Sequence, residues 1–108
     1  MGWLERLTRR AQNTRTAQLG PVPTPDRADT RVLVLVREGC HLCVDAAEVA
    51  AAVCADVGVR HELRNVDTDD DLRAAYTDHV PVTFVDGALL SYWGLDPNAL
   101  RSALGESG

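Results

Sequence analysis

The segment Arg31-Val32-Leu33-Val34-Leu35-Val36-Arg37-Glu38-Gly39-Cys40-His41-Leu42-Cys43 carries both the fold and the chemistry. Val32 to Val36 are consecutively apolar and rich in β-branched side chains, and charge bounds the run. A run this short and continuous predicts a strand buried on both faces. Arg37-Glu38-Gly39 ends it, and a Cys-x-x-Cys follows. Leu42, Ala46, Val49, Val53 and Val57 then recur at helical spacing, with Asp45, Glu48 and Asp56 on other faces. That pattern predicts a helix over 41–57 with Leu42 on its inner face and Gly58 as its stop. Val59, His61 and Leu63 alternate with Arg60, Glu62 and Arg64, as in a half-buried strand. Strand, helix and strand in this order imply a right-handed βαβ unit.

Further along, Thr68 is the expected N-cap of a second helix whose first turn holds Asp69, Asp70 and Asp71. Val82 to Val85, Asp86-Gly87 and Ala88 to Leu90 spell a β-hairpin with a tight turn. Asp96-Pro97 opens a last helix, with Ala99, Leu100, Ala103 and Leu104 facing inward. The expected architecture is α/β, β-α-β-α-β-β-α, with about four strands in a mixed sheet and helices on both faces.

Upstream of Arg31 the composition changes. Residues 1–30 carry five Arg against three acids, whereas residues 31–108 carry six Arg against thirteen acids. Residues 3–19 allow a short basic helix with Leu4 and Leu7 on one face, and Trp3, Arg6, Arg9 and Arg10 allow a surface-binding arm. The preferred reading of 1–30 is a loosely ordered basic tail, with Gly20-Pro21-Val22-Pro23-Thr24-Pro25 as a semi-rigid linker. Residues 31–105 then form the folded domain. Its acidity argues against nucleic acid as a partner. No run approaches the roughly 18 apolar residues of a membrane span. The N-terminus shows no apolar signal segment, so the expected compartment is the reducing cytoplasm.

In that setting a Cys-x-x-Cys reads as catalytic or metal-binding rather than as a structural bridge. Cys40 falls where a buried strand meets a helix N-terminus, and the free N–H groups there stabilise a thiolate. Arg37, and His41 when protonated, add positive charge nearby. Cys40 is therefore assigned as nucleophile, and Cys43, one turn into the helix, as resolving thiol. Cys54 lies about 16 Å beyond Cys43 along the helix at 1.5 Å per residue, too far for a bridge that needs Cα atoms within about 7 Å. It reads as a small buried hydrophobe. A zinc site would need two histidines to converge on the pair, which nothing in the spacing enforces. No cofactor or metal is expected.

From Arg31 to Leu104 the chain resembles a glutaredoxin-like member of the thioredoxin-fold superfamily. The likeness rests on the Val32–Val36 strand, Cys40-His41-Leu42-Cys43, and Val80-Pro81 ahead of Val82-Thr83-Phe84-Val85-Asp86-Gly87. The resemblance implies a cis Val80–Pro81 bond facing the cysteines and a Val80 backbone that pairs with a bound thiol peptide. It places Arg37 where glutaredoxins carry a Lys that meets the glutathione carboxylate. It implies thiol–disulfide exchange on disulfide-containing proteins or low-molecular-weight thiols, with a dithiol reductant, in a monomer. Two departures stand out. His41-Leu42 replaces the usual Pro-Tyr, and Ser91-Tyr92, followed by Trp93, replaces a Gly-Gly pair that leaves room for glutathione. The alternative is a metal or iron–sulfur protein using the same cysteine pair, which the missing proline after Cys40 keeps open.

Overall fold

The computed structural model describes residues 20–105, and the basic segment read above as a helix or arm over 3–19 lies outside the described residues. Strand β1 (Thr30–Val36) is central, with Val32 to Leu35 all buried. Burial on both faces follows from its neighbours. It pairs in parallel with β2 (Arg60–Asn65) and antiparallel with β3 (Val82–Val85), and β4 (Ala88–Tyr92) closes the sheet in the order β2-β1-β3-β4.

Helices α1 (His41–Val57) and α3 (Pro97–Ala103) cover one face. Val32, Val34 and Val85 meet Ala46, Ala50, Val53, Cys54, Leu100 and Leu104 there. Helix α2 (Asp70–Tyr76) covers the other face, where Leu33, Leu35, Val82 and Phe84 meet Val66, Leu72 and Tyr76. Tyr76 and Phe84 pack edge to face with centroids 5.9 Å apart. The mixed sheet with helices on both faces is the expected one.

Local signals explain most boundaries. Gly58 ends α1 in the left-handed region (φ 88°), and its N–H donates to the Cys54 carbonyl at 2.8 Å. Asp86 and Gly87 carry the two positive φ values, 52° and 80°, of a tight hairpin turn. Asp96 caps α3 by accepting from the Ala99 N–H at 3.2 Å, with Pro97 next in the chain.

Three expectations are corrected. The cap of α2 is Asp69, whose carboxylate accepts from the Asp71 and Leu72 N–H groups at 2.9 and 3.1 Å, because Thr68 closes a 3-10 turn (Val66–Thr68). Leu42 is 50% exposed, and the inner stripe of α1 runs instead through Cys43, Ala46, Ala50, Val53 and Cys54. Leu63 is 45% exposed because β2 is an edge strand.

On β2 the shielded side chains are polar. Glu62 and Arg64 pair at 2.6 Å with only 17% and 19% of their side chains exposed. The segment following Gly20 covers them. Arg64 donates to the Thr24 carbonyl at 2.9 Å, and the Asp26 N–H donates to Glu62 at 2.8 Å. The Tyr76 hydroxyl accepts from the Gly20 N–H (3.2 Å) and donates to the Pro21 carbonyl (3.0 Å), so residues 20–26 run along the sheet rather than away from it.

Candidate functional site

The sequence turns from strand to helix within four residues. Gly39 takes φ 75°, a left-handed conformation that a side chain would penalise, and so delivers Cys40 to the start of α1. Cys40 is the helix N-cap, extended at φ −102° and ψ 109°. Its Sγ accepts a hydrogen bond from the Cys43 N–H at 3.2 Å, replacing the oxygen of an ordinary cap. Cys40 and Cys43 are disulfide-bonded, with Cα atoms 5.2 Å apart. Cys40 is partly exposed whereas Cys43 is only 4% exposed, so the two sulfurs differ in access.

Beside the disulfide lies an open cavity of about 360 Å³, lined entirely from the 36–47 stretch: Val36, Arg37, Glu38, Gly39, Cys40, His41, Cys43, Val44 and Ala47. Arg37 and His41, both expected near the cysteines, line it and are exposed. Val80 and Pro81 do not. The Val80–Pro81 peptide is cis, Pro81 is buried, and the pairing of Val82 with Leu35 puts both residues at the β1 end that leads into Cys40.

Past the hairpin, Tyr92 is half-buried against Tyr76 and His79, with ring centroids 6.5 and 5.2 Å away. Trp93 is the exposed aromatic. It is 50% exposed, stacks on His79 at 5.3 Å, and donates through Nε1 to the Asp78 carbonyl at 3.2 Å. The bulk following β4 is thus presented to solvent by Trp93, while Tyr92 turns into the aromatic cluster.

Cys54 is a free, buried thiol inside α1, and burial pushes its pKa up, away from thiolate chemistry. Among the described residues no group of three or more His, Cys, Asp or Glu is arranged to hold a metal ion, so a metal on Cys40 and Cys43 would have to draw its other ligands from elsewhere. No described helix is long and apolar enough to cross a membrane.

A family model, the glutaredoxin-like domain (DUF836), matches residues 31–105, the stretch from β1 through α3. The chain belongs to this glutaredoxin-like family. Uncharacterized proteins of Mycobacterium tuberculosis and Mycobacterium bovis are 33% identical over 84 residues, covering 71% of this chain and 84% of theirs. An X-ray structure of a structural-genomics target protein from X. campestris is similar at 31% identity and a TM-score of 0.58, over 71% of this chain and 99% of that one. A Nitrosomonas europaea protein solved in solution is similar at 27% identity and a TM-score of 0.58, over 74% and 96%. Glutaredoxin-like membership and a Cys-x-x-Cys pair at disulfide distance support a redox role.

Sequence reasoning missed Asp67. Its carboxylate lies 3.9 Å from the Arg37 guanidinium, both side chains being 43% exposed. The signal was available: parallel pairing of Val36 with Asn65 brings the residues just past β2 beside Arg37. The apolar lining residues Val44 and Ala47 were missed because helical spacing marked neither as core.

Proposed function

We infer that this glutaredoxin-like protein is a thiol–disulfide oxidoreductase in which Cys40 attacks and Cys43 resolves. The observation that carries this is Cys40 at the helix N-cap, its sulfur accepting the Cys43 N–H while staying partly open to solvent. A backbone N–H donor aimed at the sulfur and the positive end of a helix favour a thiolate, the attacking species.

In the dithiol form, the Cys40 thiolate attacks one sulfur of a substrate disulfide, forming a mixed disulfide and releasing the other sulfur as a thiolate. Cys43, having lost its proton to solvent, attacks the Cys40 sulfur. The substrate's second thiolate leaves and the Cys40–Cys43 disulfide forms. Two electrons have passed to the substrate, and a dithiol donor returns them by the reverse exchange. Arg37 supplies positive charge beside Cys40, and the Val80 backbone beside Pro81 is assigned as the docking edge for the substrate strand.

The reading favours a dithiol protein over glutathione as donor. Arg37 is shared with Asp67, Ser91 and Tyr92 replace the glycines that the resemblance gives the family there, and Trp93 beside them projects its bulk into solvent. Substrate-coupled NADPH oxidation through a thioredoxin system, set against one through glutathione and its reductase, tests this. Turnover with the thioredoxin system and little with glutathione is expected. Strong glutathione-dependent turnover, unchanged when Ser91 and Tyr92 are both replaced by Gly, would contradict it.

A further inference from the structure

Helix α1 displays two large apolar side chains around its disulfide, Leu42 at 50% and Val44 at 57% exposure. The two lie on different sides of the helix, two residues apart, and it is Val44 that is exposed within the cavity beside the disulfide. Val44 belongs to the cavity, together with Val36, Ala47, Cys40 and Cys43. At about 360 Å³ the cavity is near the small end of the roughly 300–1,000 Å³ range of small-molecule sites, suited to one large side chain.

The charges along this cavity bear on what enters it. Arg37 is the permanent cation of the lining and is paired with Asp67 at 3.9 Å, while Glu38 contributes a carboxylate of its own. A carboxylate entering here would compete with Asp67 for Arg37 and meet Glu38. An uncharged aliphatic or aromatic group would gain the apolar lining without that competition.

We propose that this cavity receives an apolar side chain flanking the reactive cysteine of the substrate, so that the preferred substrate is a protein or peptide disulfide with an aliphatic or aromatic residue beside its cysteine. Asp67 is the specificity-determining residue, turning Arg37 away from carboxylates. This rests on the exchange reading above and adds the substrate class.

The test uses the full chain and three disulfides: a short capped peptide with Leu beside its disulfide-bonded cysteine, the same peptide with Glu there, and bis(2-hydroxyethyl) disulfide as an uncharged control. The wild type is expected to exchange the Leu peptide about tenfold faster than the Glu peptide, as burial of one aliphatic side chain would give. A ratio below about threefold overturns the proposal. Val44→Glu, at an exposed helix position, should remove most of that preference. Asp67→Asn should raise the rate with the Glu peptide by freeing Arg37. A preference untouched by both substitutions would also overturn it. Exchange of the control without a Leu preference counts against this inference alone. Failure with all three disulfides counts against the exchange reading and takes the inference with it.

Discussion

The Cys43 backbone N–H donates to Cys40 Sγ at 3.2 Å, so the residue that caps helix α1 is also one half of its disulfide. Capping by sulfur is weak when the sulfur is neutral and strong when it is a thiolate, because charge-assisted hydrogen bonds are roughly twice as strong as neutral ones. On the proposed reading, reduction of the disulfide leaves Cys40 as the sulfur that ionises, at the helix end and open to solvent, and Cys43 as the buried one.

An alkylation rate measured against pH on the Cys43→Ser variant should show a midpoint below about 8. An ordinary thiol gives about 8.5. A midpoint at or above that value would mean that the helix end does not stabilise the Cys40 thiolate.

Cys54 should stay a thiol throughout. It is buried inside α1, with a pKa raised by desolvation. Mass mapping after mild oxidation should find one bridge, Cys40–Cys43, with Cys54 alkylated only after denaturation. A bridge to Cys54 would require α1 to unfold.

Tyr76 ties residues 20 and 21 to the core by one accepted and one donated hydrogen bond. Tyr76→Phe keeps the ring packing on Phe84 but leaves the Pro21 carbonyl and the Gly20 N–H without that partner. A loss of about 1–2 kcal/mol in denaturant midpoint analysis is expected, within the usual range for an orphaned, partly buried polar group. An unchanged midpoint would show that these two hydrogen bonds contribute nothing to stability.

Arg31 donates to both Asp86 carboxylate oxygens, at 2.8 and 2.7 Å, and this bonding holds the Asp86 carboxyl below its usual 3.8. A lowered folded-state value gives stability that is complete above 3.8 and is lost as pH falls through the folded value. The two side chains are 37% and 49% exposed, so the contribution is at most about 1 kcal/mol. Asp86→Asn, which tolerates the left-handed turn, should lower stability by that small amount near neutrality and flatten its decline below pH 4. An acid limb identical to wild type would contradict the assignment.

Features readable from neighbouring residues were legible in the sequence. The β1 run, the Gly58 stop, the Asp86-Gly87 turn and the Asp96-Pro97 cap each depend on residues within one turn or strand. Cys40 and Cys43 were legible for the same reason. What escaped depends on other elements. Leu42 has helical spacing, yet it lies on the solvent side because the inner stripe passes through its neighbour Cys43. Thr68 loses the cap to Asp69 because the chain first makes a 3-10 turn after β2. Asp67 reaches Arg37 only through the parallel β1–β2 register. The Pro-rich stretch reads as a linker until Tyr76, Glu62 and Arg64 are seen to hold it.

The most direct test of the account traps the first step. Reduced Cys43→Ser protein is mixed with a substrate disulfide, quenched with acid, and mapped by mass spectrometry. The account predicts a single mixed disulfide, on Cys40, that persists because the resolving thiol is gone and that Cys40→Ser abolishes. No adduct on Cys40, or an adduct on Cys54 in its place, would contradict it.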